Sequence, residues 1–216
     1  MPHLSLAKLT TFSLTEPYCN IAPFFMSKYP ITQRQWEVLL GDNSCRFKGH
    51  NRPVEKVSWY DADDFCRIIS RQTRRSYRLP SEAQWEYACR AGTKTPFYFG
   101  ESITTEVANF NGENYALASK GMNRHETTPV GTFPPNTFGV YDLHGNVWEW
   151  CADAWHENYQ GAPADGSIWE SGQHDAPYLL RGGSWQVNPR DCRCAFRRRH
   201  NPREKNEDIG FRVVIS

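Results

Sequence analysis

The stretch FGVYDLHGNVWEWCADAW, residues 138–155, holds three of the eight tryptophans of the chain, together with polar groups whose spacing suggests a bound cation. Asp142 and Glu149 can offer carboxylate oxygens, and Gly145 and Val147 can offer carbonyl oxygens, an all-oxygen set of the kind that Ca²⁺ prefers. Gly145 also lets the backbone turn tightly between the two acidic residues. The same pattern is typical of a tryptophan-rich core strand whose carboxylates pair with buried arginines. Spacing alone leaves both interpretations open.

The composition indicates a globular protein with a substantial core. The chain has 216 residues, of which 39% are hydrophobic and 14% aromatic, and we expect a single domain over residues 1–216. The net charge of +1 gives no global signature of polyanion binding, so we expect no nucleic-acid partner. No apolar run is long enough to span a membrane, and the N-terminus does not resemble a secretory signal. We therefore expect a cytoplasmic monomer.

The seven cysteines show no regular framework. Only Cys192 and Cys194 lie close together, and the chain has neither a CxxC pair nor a cysteine–histidine cluster at zinc-finger spacing. Cys66 and Cys89 fall on apolar faces of predicted helices, where a free thiol packs as a small hydrophobic group. The pattern favours reduced thiols in a reducing compartment.

Helices are predicted early in the chain and irregular β structure late. Capping-box patterns and apolar residues at helical spacing predict three helices, over 32–41, 58–74 and 81–92. Prolines before residue 31 suggest an edge strand and loops. Residues 93–137 and 156–178 are rich in loop-forming residues, and short β runs return at 178–183 and 210–215. This order indicates an α+β fold.

Several motifs occur in the order found in the formylglycine-generating enzyme (sulfatase-modifying factor) family, which the chain resembles over about residues 24–214. They are FFMSKYPITQRQWE, RPVEKVSWYDADDFC, RLPSEAQWEYACRAG, ANF, TTPVGTFPPNTFGVYDLHGNVWEW, RGGSW and IGFRVV. The resemblance implies an elaborated variant of the C-type lectin fold with little regular secondary structure. It also implies structural Ca²⁺ bound by the side chains of Asp142 and Glu149 and the carbonyls of Gly145 and Val147. A second family calcium site would begin at Asn109 and Phe110, but its later Asp has no convincing counterpart here.

The resemblance raises the question of catalysis. The enzymes of this family oxidise a cysteine in the CxPxR motif of sulfatases, using O₂ and a Cu(I) ion held by two cysteines after the GGS[YW] motif. In this chain Val187 lies near the first of those positions, and the second is lost in a shorter segment. Cys192 and Cys194 are weak substitutes, because Cys194 matches a structural position of the family. The three histidines of the related iron-dependent enzymes have no counterpart. We therefore assign no catalytic residue and lean against an enzyme.

Non-enzymatic binding modules share this fold, among them the variable proteins of diversity-generating retroelements, whose C-terminal region resembles RGGSW…CRxAxR…IGFRVV. The positions that would contact a ligand are Gln186, Val187, Asn188, Arg190, Asp191, Phe196, Arg198, Arg199, His200, Asn201, Glu204, Lys205, Asn206 and Asp208. Among the arginines of this region, Arg193, Arg197 and Arg212 are expected to be structural. Against diversification, Gln186, Glu204, Lys205 and Glu207 do not arise readily from asparagine codons by changes at adenine.

Two functions of different class follow from the sequence. The preferred one is a non-catalytic module that binds a protein or small-molecule ligand through residues 186–208, in one version as a retroelement-diversified variable protein. The alternative is a copper- and O₂-dependent oxidase that generates formylglycine on sulfatase cysteines. A structural subunit of a larger assembly is a third class. Ca²⁺ is the expected cofactor under the preferred function, and copper under the alternative only.

Overall fold

The computed structural model describes residues 4–9, 20–113, 120–173 and 176–215. His3, Pro17, Cys19 and His174, which entered the sequence arguments, lie outside these ranges. The described strands form two four-stranded sheets, accompanied by three α-helices and one 3₁₀ helix. The elements in chain order are β1 Leu6–Leu9, β2 Phe24–Ser27, α1 Gln33–Leu40, α2 Trp59–Thr73, β3 Tyr77–Arg78, α3 Glu82–Arg90, β4 Trp148–Ala154, β5 Tyr178–Arg181, the 3₁₀ helix Pro189–Cys192, β6 Arg198–His200, β7 Ile209–Gly210 and β8 Val214–Ile215.

The first sheet has the strand order β1–β2–β8–β3 and brings the beginning and end of the described chain together. All its pairs are antiparallel, with Leu6 opposite Ser27 and Met26 opposite Val214. β1 is the edge strand that the early prolines suggest. Because β8 lies in the middle of this sheet, the IGFRVV motif that ends at Val214 is part of the core.

The second sheet has the order β6–β5–β4–β7 and contains the tryptophan-rich strand. β4 pairs antiparallel with β5 and parallel with β7, with Glu149 opposite both Arg181 and Gly210. β6, at the edge, pairs with β5 through Leu180 and Arg198. Trp148 and Trp150 are both fully buried, so this strand is a core element, as its aromatic content predicts.

The three helices begin where their capping sequences predict. The side chains of Thr32, Ser58 and Ser81 each accept a hydrogen bond from the backbone N–H three residues on. The side chain of that later residue accepts a hydrogen bond from the backbone N–H of the capping residue in return. Such reciprocal caps satisfy donors that a helix otherwise leaves unpaired. Residues 93–113 and 120–137 contain no strand beyond isolated bridges, in agreement with the loops expected there. The α+β class is therefore confirmed. Within the described ranges, no helix combines the length and the apolar character that crossing a membrane requires.

Candidate functional site

The residues predicted to contact a ligand, 186–208, include strand β6 at one edge of the second sheet, and we call them the C-terminal surface. They comprise the 3₁₀ helix, strand β6 and the loop 201–207. Seven of the predicted positions are exposed and six are half-buried. The exposed ones are Gln186, Asn188, Arg190, Arg199, Asn201, Glu204 and Lys205, and the half-buried ones are Val187, Asp191, Phe196, Arg198, His200 and Asn206. The geometry thus brings most of the predicted set to solvent.

Asp208 is the exception and corrects the prediction. It is buried, its carboxylate accepts a hydrogen bond from the Ser184 hydroxyl at 2.8 Å, and its carbonyl accepts the Trp148 amide at 2.7 Å. Burial raises its pKa. Asp208 therefore supports the surface from below. An isolated charge is costly to bury, so the hydrogen bond from Ser184 helps to stabilise the buried carboxylate. Asp208 is therefore part of the core and not of the exposed surface.

The loop 201–207 is anchored through its backbone, and Asn201, Arg203, Glu204 and Lys205 are exposed. The Pro202 carbonyl accepts the amide of Trp59, and the Asn206 carbonyl accepts the amide of Lys56, each at 3.0 Å. Lys205 adds an ion pair at 2.7 Å to Asp61 of α2. These bonds hold the loop against the start of α2, so changes in its exposed side chains do not require the backbone to move.

A cavity of about 510 Å³ opens on this surface, lined by Pro177 and residues 199–204. Arg199 and His200 in this lining each lie beside an exposed carboxylate. Arg199 pairs with Glu157 at 3.3 Å, with both side chains more than 60% exposed, and His200 lies 3.2 Å from Glu204. Burial lowers the pKa of His200, which favours its neutral form. Exposed ion pairs of this kind contribute about 0–1 kcal/mol, so the pair of Arg199 and Glu157 adds little to stability.

Beneath β6, aromatic groups form the floor of the same surface. The Arg198 guanidinium lies over the Trp148 ring, 5.3 Å from its centroid, and the Phe196 ring lies 5.9 Å away. The indole nitrogen of Trp148 is buried and has no hydrogen-bond partner within the described part of the chain. A buried donor without a partner costs stability.

The three arginines expected to be structural behave differently from one another. Arg212 is fully buried, and Arg197 donates to both oxygens of Glu82 while lying over the rings of Trp155 and Tyr159. Arg193, in contrast, is exposed, and its one hydrogen bond to the described residues is to the Arg190 carbonyl at 2.8 Å. The structural role is thus confirmed for Arg197 and Arg212 and wrong for Arg193, which the 3₁₀ helix turns outward.

The cysteines do not form the pair that the copper chemistry requires. Cys192 and Cys194 are both buried but belong to different apolar clusters, and the Cys192 thiol donates to the Asn188 carbonyl. The half-buried Val187 supplies no thiolate at the first copper position. These residues therefore do not match the family's copper positions, and Cys192 and Cys194 pack in different parts of the core.

The calcium set is arranged mainly as an ion pair. Glu149 is fully buried, its two oxygens accept from Arg212 at 2.6 and 2.7 Å, and the Trp85 indole donates to the same carboxylate at 2.6 Å. Arg212 and Trp85 therefore already hold both oxygens of this carboxylate within the core. Asp142 does retain one buried oxygen without a partner, and burial raises its pKa to about 6. The pairing of Glu149 with a buried arginine matches the second interpretation of the spacing.

The other calcium positions serve the backbone framework. The Gly145 amide donates to the Gly182 carbonyl, and the Asn109 carbonyl accepts the amide of Asn146, each at 2.7 Å. Asn109 is fully buried and its side-chain oxygen has no partner among the described residues, whereas the neighbouring Phe110 packs in an apolar cluster. These contacts tie the 109 segment to the tryptophan-rich stretch.

Sequence reasoning missed two features of the site region. One is the contact of Cys89 with Cys194, whose sulfurs lie 3.4 Å apart although 105 residues separate them in the chain. The other is the part of Pro177 and Pro202 in the cavity. No local spacing reports either feature, because both arise when distant segments meet.

Comparisons with known proteins agree with this geometry. A profile of the Sulfatase-modifying factor enzyme 1-like domain matches residues 15–216. The chain is 29% identical to the Chaperone protein LppX of Paenibacillus barcinonensis, covering 97% of this chain and 86% of that protein. It is 31% identical to the Formylglycine-generating enzyme of Mus musculus and 32% identical to the Inactive C-alpha-formylglycine-generating enzyme 2 of the same organism. These two matches cover 89% and 91% of this chain but only 51% and 60% of the two mouse proteins.

Solved structures give the same fold. PvdO from Pseudomonas aeruginosa matches with a TM-score of 0.79 and 32% identity over 99% of this chain and 92% of that one. Treponema denticola variable protein 1 matches with a TM-score of 0.78 and 23% identity over 99% and 92%, which shows a common fold. The fold is thus the formylglycine-generating-enzyme type of C-type lectin fold, and the chain belongs to the sulfatase-modifying factor enzyme 1-like family.

Proposed function

We propose that this chain is a non-catalytic ligand-binding module that uses the C-terminal surface. The observation that carries the proposal is the cavity of about 510 Å³ at residues 199–204, lined mainly by exposed residues on a backbone bonded to the start of α2. A rigid frame with outward-facing loop side chains can change its contacts without losing its fold. The cavity also falls within the usual size range of small-ligand sites, about 300–1,000 Å³.

The chemistry of the cavity favours a ligand with an anionic group. Arg199 and Arg203 line it, and Arg203 lies over the Tyr60 ring at 5.6 Å. Guanidinium groups bind carboxylates and phosphates through paired hydrogen bonds. Glu157, which now pairs with Arg199, is exposed, so exchange of this partner for a ligand costs little.

The test is calorimetric titration with citrate, inorganic phosphate and triglutamate as probes, using wild type and an Arg199→Ala, Arg203→Ala double variant. We expect at least one probe to bind, and the double variant to bind it roughly tenfold or more weakly, because two charged hydrogen-bonding groups are removed. Arg67→Ala is the matched control, since Arg67 is an exposed arginine of α2 paired with Asp63. Equal binding by all three proteins, or binding of none of the probes, would contradict the proposal.

A retroelement-diversified variable protein is the narrower form of this proposal. The likeness to Treponema denticola variable protein 1 supports the scaffold but not the diversification. Sequencing this reading frame from independent isolates tests it directly. Substitutions that cluster in 186–208 and start from adenine would support it, and the residues of α2 provide the internal control. An even spread over both segments would refute it.

The alternative, a formylglycine-generating oxidase, rests on the family and on the likeness to the mouse enzyme. The valine at position 187 and the packing of Cys192 and Cys194 in different apolar clusters speak against it. Incubation of the copper-loaded protein with a CxPxR peptide and O₂, followed by mass analysis of the peptide, decides the matter. Conversion of the peptide cysteine, lost in Cys192→Ser, would establish the oxidase. An unchanged peptide is the result we expect.

A further inference from the structure

Strand β6 forms one edge of the second sheet. It pairs with β5, which places Arg199 opposite Leu179, and within the described ranges no strand lies on its other side. An edge strand presents backbone N–H and C=O groups with which another extended chain can pair. Arg199 and His200 of this strand also line the cavity. The edge and the cavity are therefore parts of one surface.

The hydrogen bonds of β4 and β5 identify Arg199 as the residue whose backbone faces outward. The Trp155 N–H donates to the Pro177 carbonyl at 2.7 Å, so residue 177 directs its carbonyl toward β4. Backbone groups alternate between the two sides of a strand, so Leu179 also faces β4 and its two neighbours in the chain face β6. Arg199, the partner of Leu179 in the register, therefore directs its N–H and C=O away from β5. Outside the sheets, no described backbone group bonds to either of them.

The side chains beside this edge favour an acidic ligand. The Arg199 side chain is 64% exposed, and its ion-pair partner Glu157 is 73% exposed. Exposed pairs add little to stability, so a carboxylate supplied by a ligand can compete with Glu157. The cavity lining contains Arg199 and Arg203 but a single acidic residue, Glu204, which lies 3.2 Å from His200. Charged side chains on an edge oppose pairing with strands of like charge, so these arginines select acidic chains.

We propose that the C-terminal surface binds an extended acidic segment of a protein partner, which pairs with β6 as an additional strand of the second sheet. This inference rests on the proposed ligand-binding function and names the class of ligand. Strand addition takes its affinity from main-chain hydrogen bonds and its specificity from pockets for alternate side chains. Here the main-chain bonds form at Arg199. Acidic side chains at alternate positions share one face of the added strand, about 7 Å apart, and the end of the peptide reaches the cavity lined by Pro202 and Arg203.

The experiment is calorimetric titration of the full chain with a blocked peptide of alternating glutamate and valine. Two analogues carry N-methyl groups, one on the glutamate amides and the other on the valine amides. Because an added strand pairs through alternate amides only, one analogue should bind roughly tenfold or more weakly and the other like the parent peptide. Saturation with the parent peptide should also slow hydrogen exchange of the Arg199 amide by roughly tenfold or more. The Glu204 amide, which already donates to the Asn201 carbonyl, is the control.

The outcomes separate this inference from the function on which it rests. Equal affinity of the two analogues, or unchanged exchange at Arg199, would overturn the strand pairing while binding of the peptide and of the simple anions still supported the proposed function. Binding of neither the peptide nor citrate, phosphate or triglutamate would contradict the proposed function and the inference together. Sedimentation of the free protein as a dimer with a protected Arg199 amide would overturn the inference, because a second copy would then occupy the edge.

Discussion

Replacement of Arg212 by Met tests how the tryptophan-rich strand is held in the core. The guanidinium is fully buried and donates to both oxygens of Glu149, to the Ser27 carbonyl at 3.1 Å and to the Tyr141 carbonyl at 2.9 Å. Met fills similar space but leaves the Glu149 charge with the Trp85 indole as its one remaining partner among these groups. Breaking a buried ion pair from one side costs about 3–5 kcal/mol. For a domain of this size, that corresponds to a fall in Tm of roughly 6–20 °C.

The assay is urea unfolding followed by tryptophan fluorescence and circular dichroism. Glu149→Gln in the same chain removes the stranded charge but keeps an acceptor for Trp85, so the double variant should be more stable than Arg212→Met alone. Arg67→Met is the control, because its exposed pair with Asp63 should cost less than about 1 kcal/mol. A loss below about 1 kcal/mol in Arg212→Met, or no recovery in the double variant, would refute the reasoning.

The same samples test the calcium site predicted from the sequence. With Glu149 bound to Arg212, unfolding of the wild type should be the same in calcium and in a chelator. A ligand that binds only the folded state stabilises it in proportion to the logarithm of its concentration over Kd. Stabilisation by calcium that disappears in Glu149→Gln would instead show that the cation displaces the guanidinium.

Three further predictions concern single sites. Burial raises the pKa of Glu55 to about 7 in the folded protein. Between the pKa of the unfolded chain and this value, the folded state therefore keeps a proton that the unfolded state has released. Stability should therefore decline from about pH 4 to pH 7, and Glu55→Gln should reduce that slope by up to about 1.4 kcal/mol per pH unit in urea titrations at several pH values. Ser81→Ala removes the cap of α3 and should cost about 1 kcal/mol by the same measurement, which a loss near zero would contradict. Gly145→Ala would place a Cβ 2.2 Å from the Asn109 carbonyl, whereas Gly161 has a similar φ and open space around it. Gly161→Ala should cost about 1–2 kcal/mol in strain, and Gly145→Ala at least about 2 kcal/mol more, so equal losses would rule out the clash.

The sequence was sufficient for the helices because their signals are local. The capping sequences that begin at Thr32, Ser58 and Ser81 mark the starts of α1, α2 and α3 within four residues. The spacing of apolar residues in α2 predicts its buried face. The ordered motifs predicted the fold for a different reason. They reflect long-range packing that this chain shares with its family. Local patterns could not have shown which strands pair, because β8 joins β2 across almost the whole chain.

The candidate site was predictable only in part, and the reason is distance along the chain. Cys192 and Cys194 look like a pair because they are two residues apart, but a 3₁₀ helix ends between them and turns their side chains into different clusters. The true partner of Cys194 is Cys89, 105 positions away. Asp208 shows the same effect, since burial against Ser184 takes it out of a segment that otherwise faces solvent.

The position of the cavity bears on whether the proposed contact residues can change without loss of stability. The loop 201–207 is held through backbone carbonyls that bond to amides of the segment leading into α2, and these bonds do not depend on the side chains at positions 199–204. The arginines that do carry the core, Arg197 and Arg212, bind Glu82 and Glu149 at a distance from the cavity lining. Substitution of Arg199 and Arg203 should therefore change ligand affinity with less than about 0.5 kcal/mol effect on unfolding, as expected for surface positions. If the same substitutions destabilised the protein by several kcal/mol, the cavity would be part of the framework, and a binding role for it would lose its physical basis.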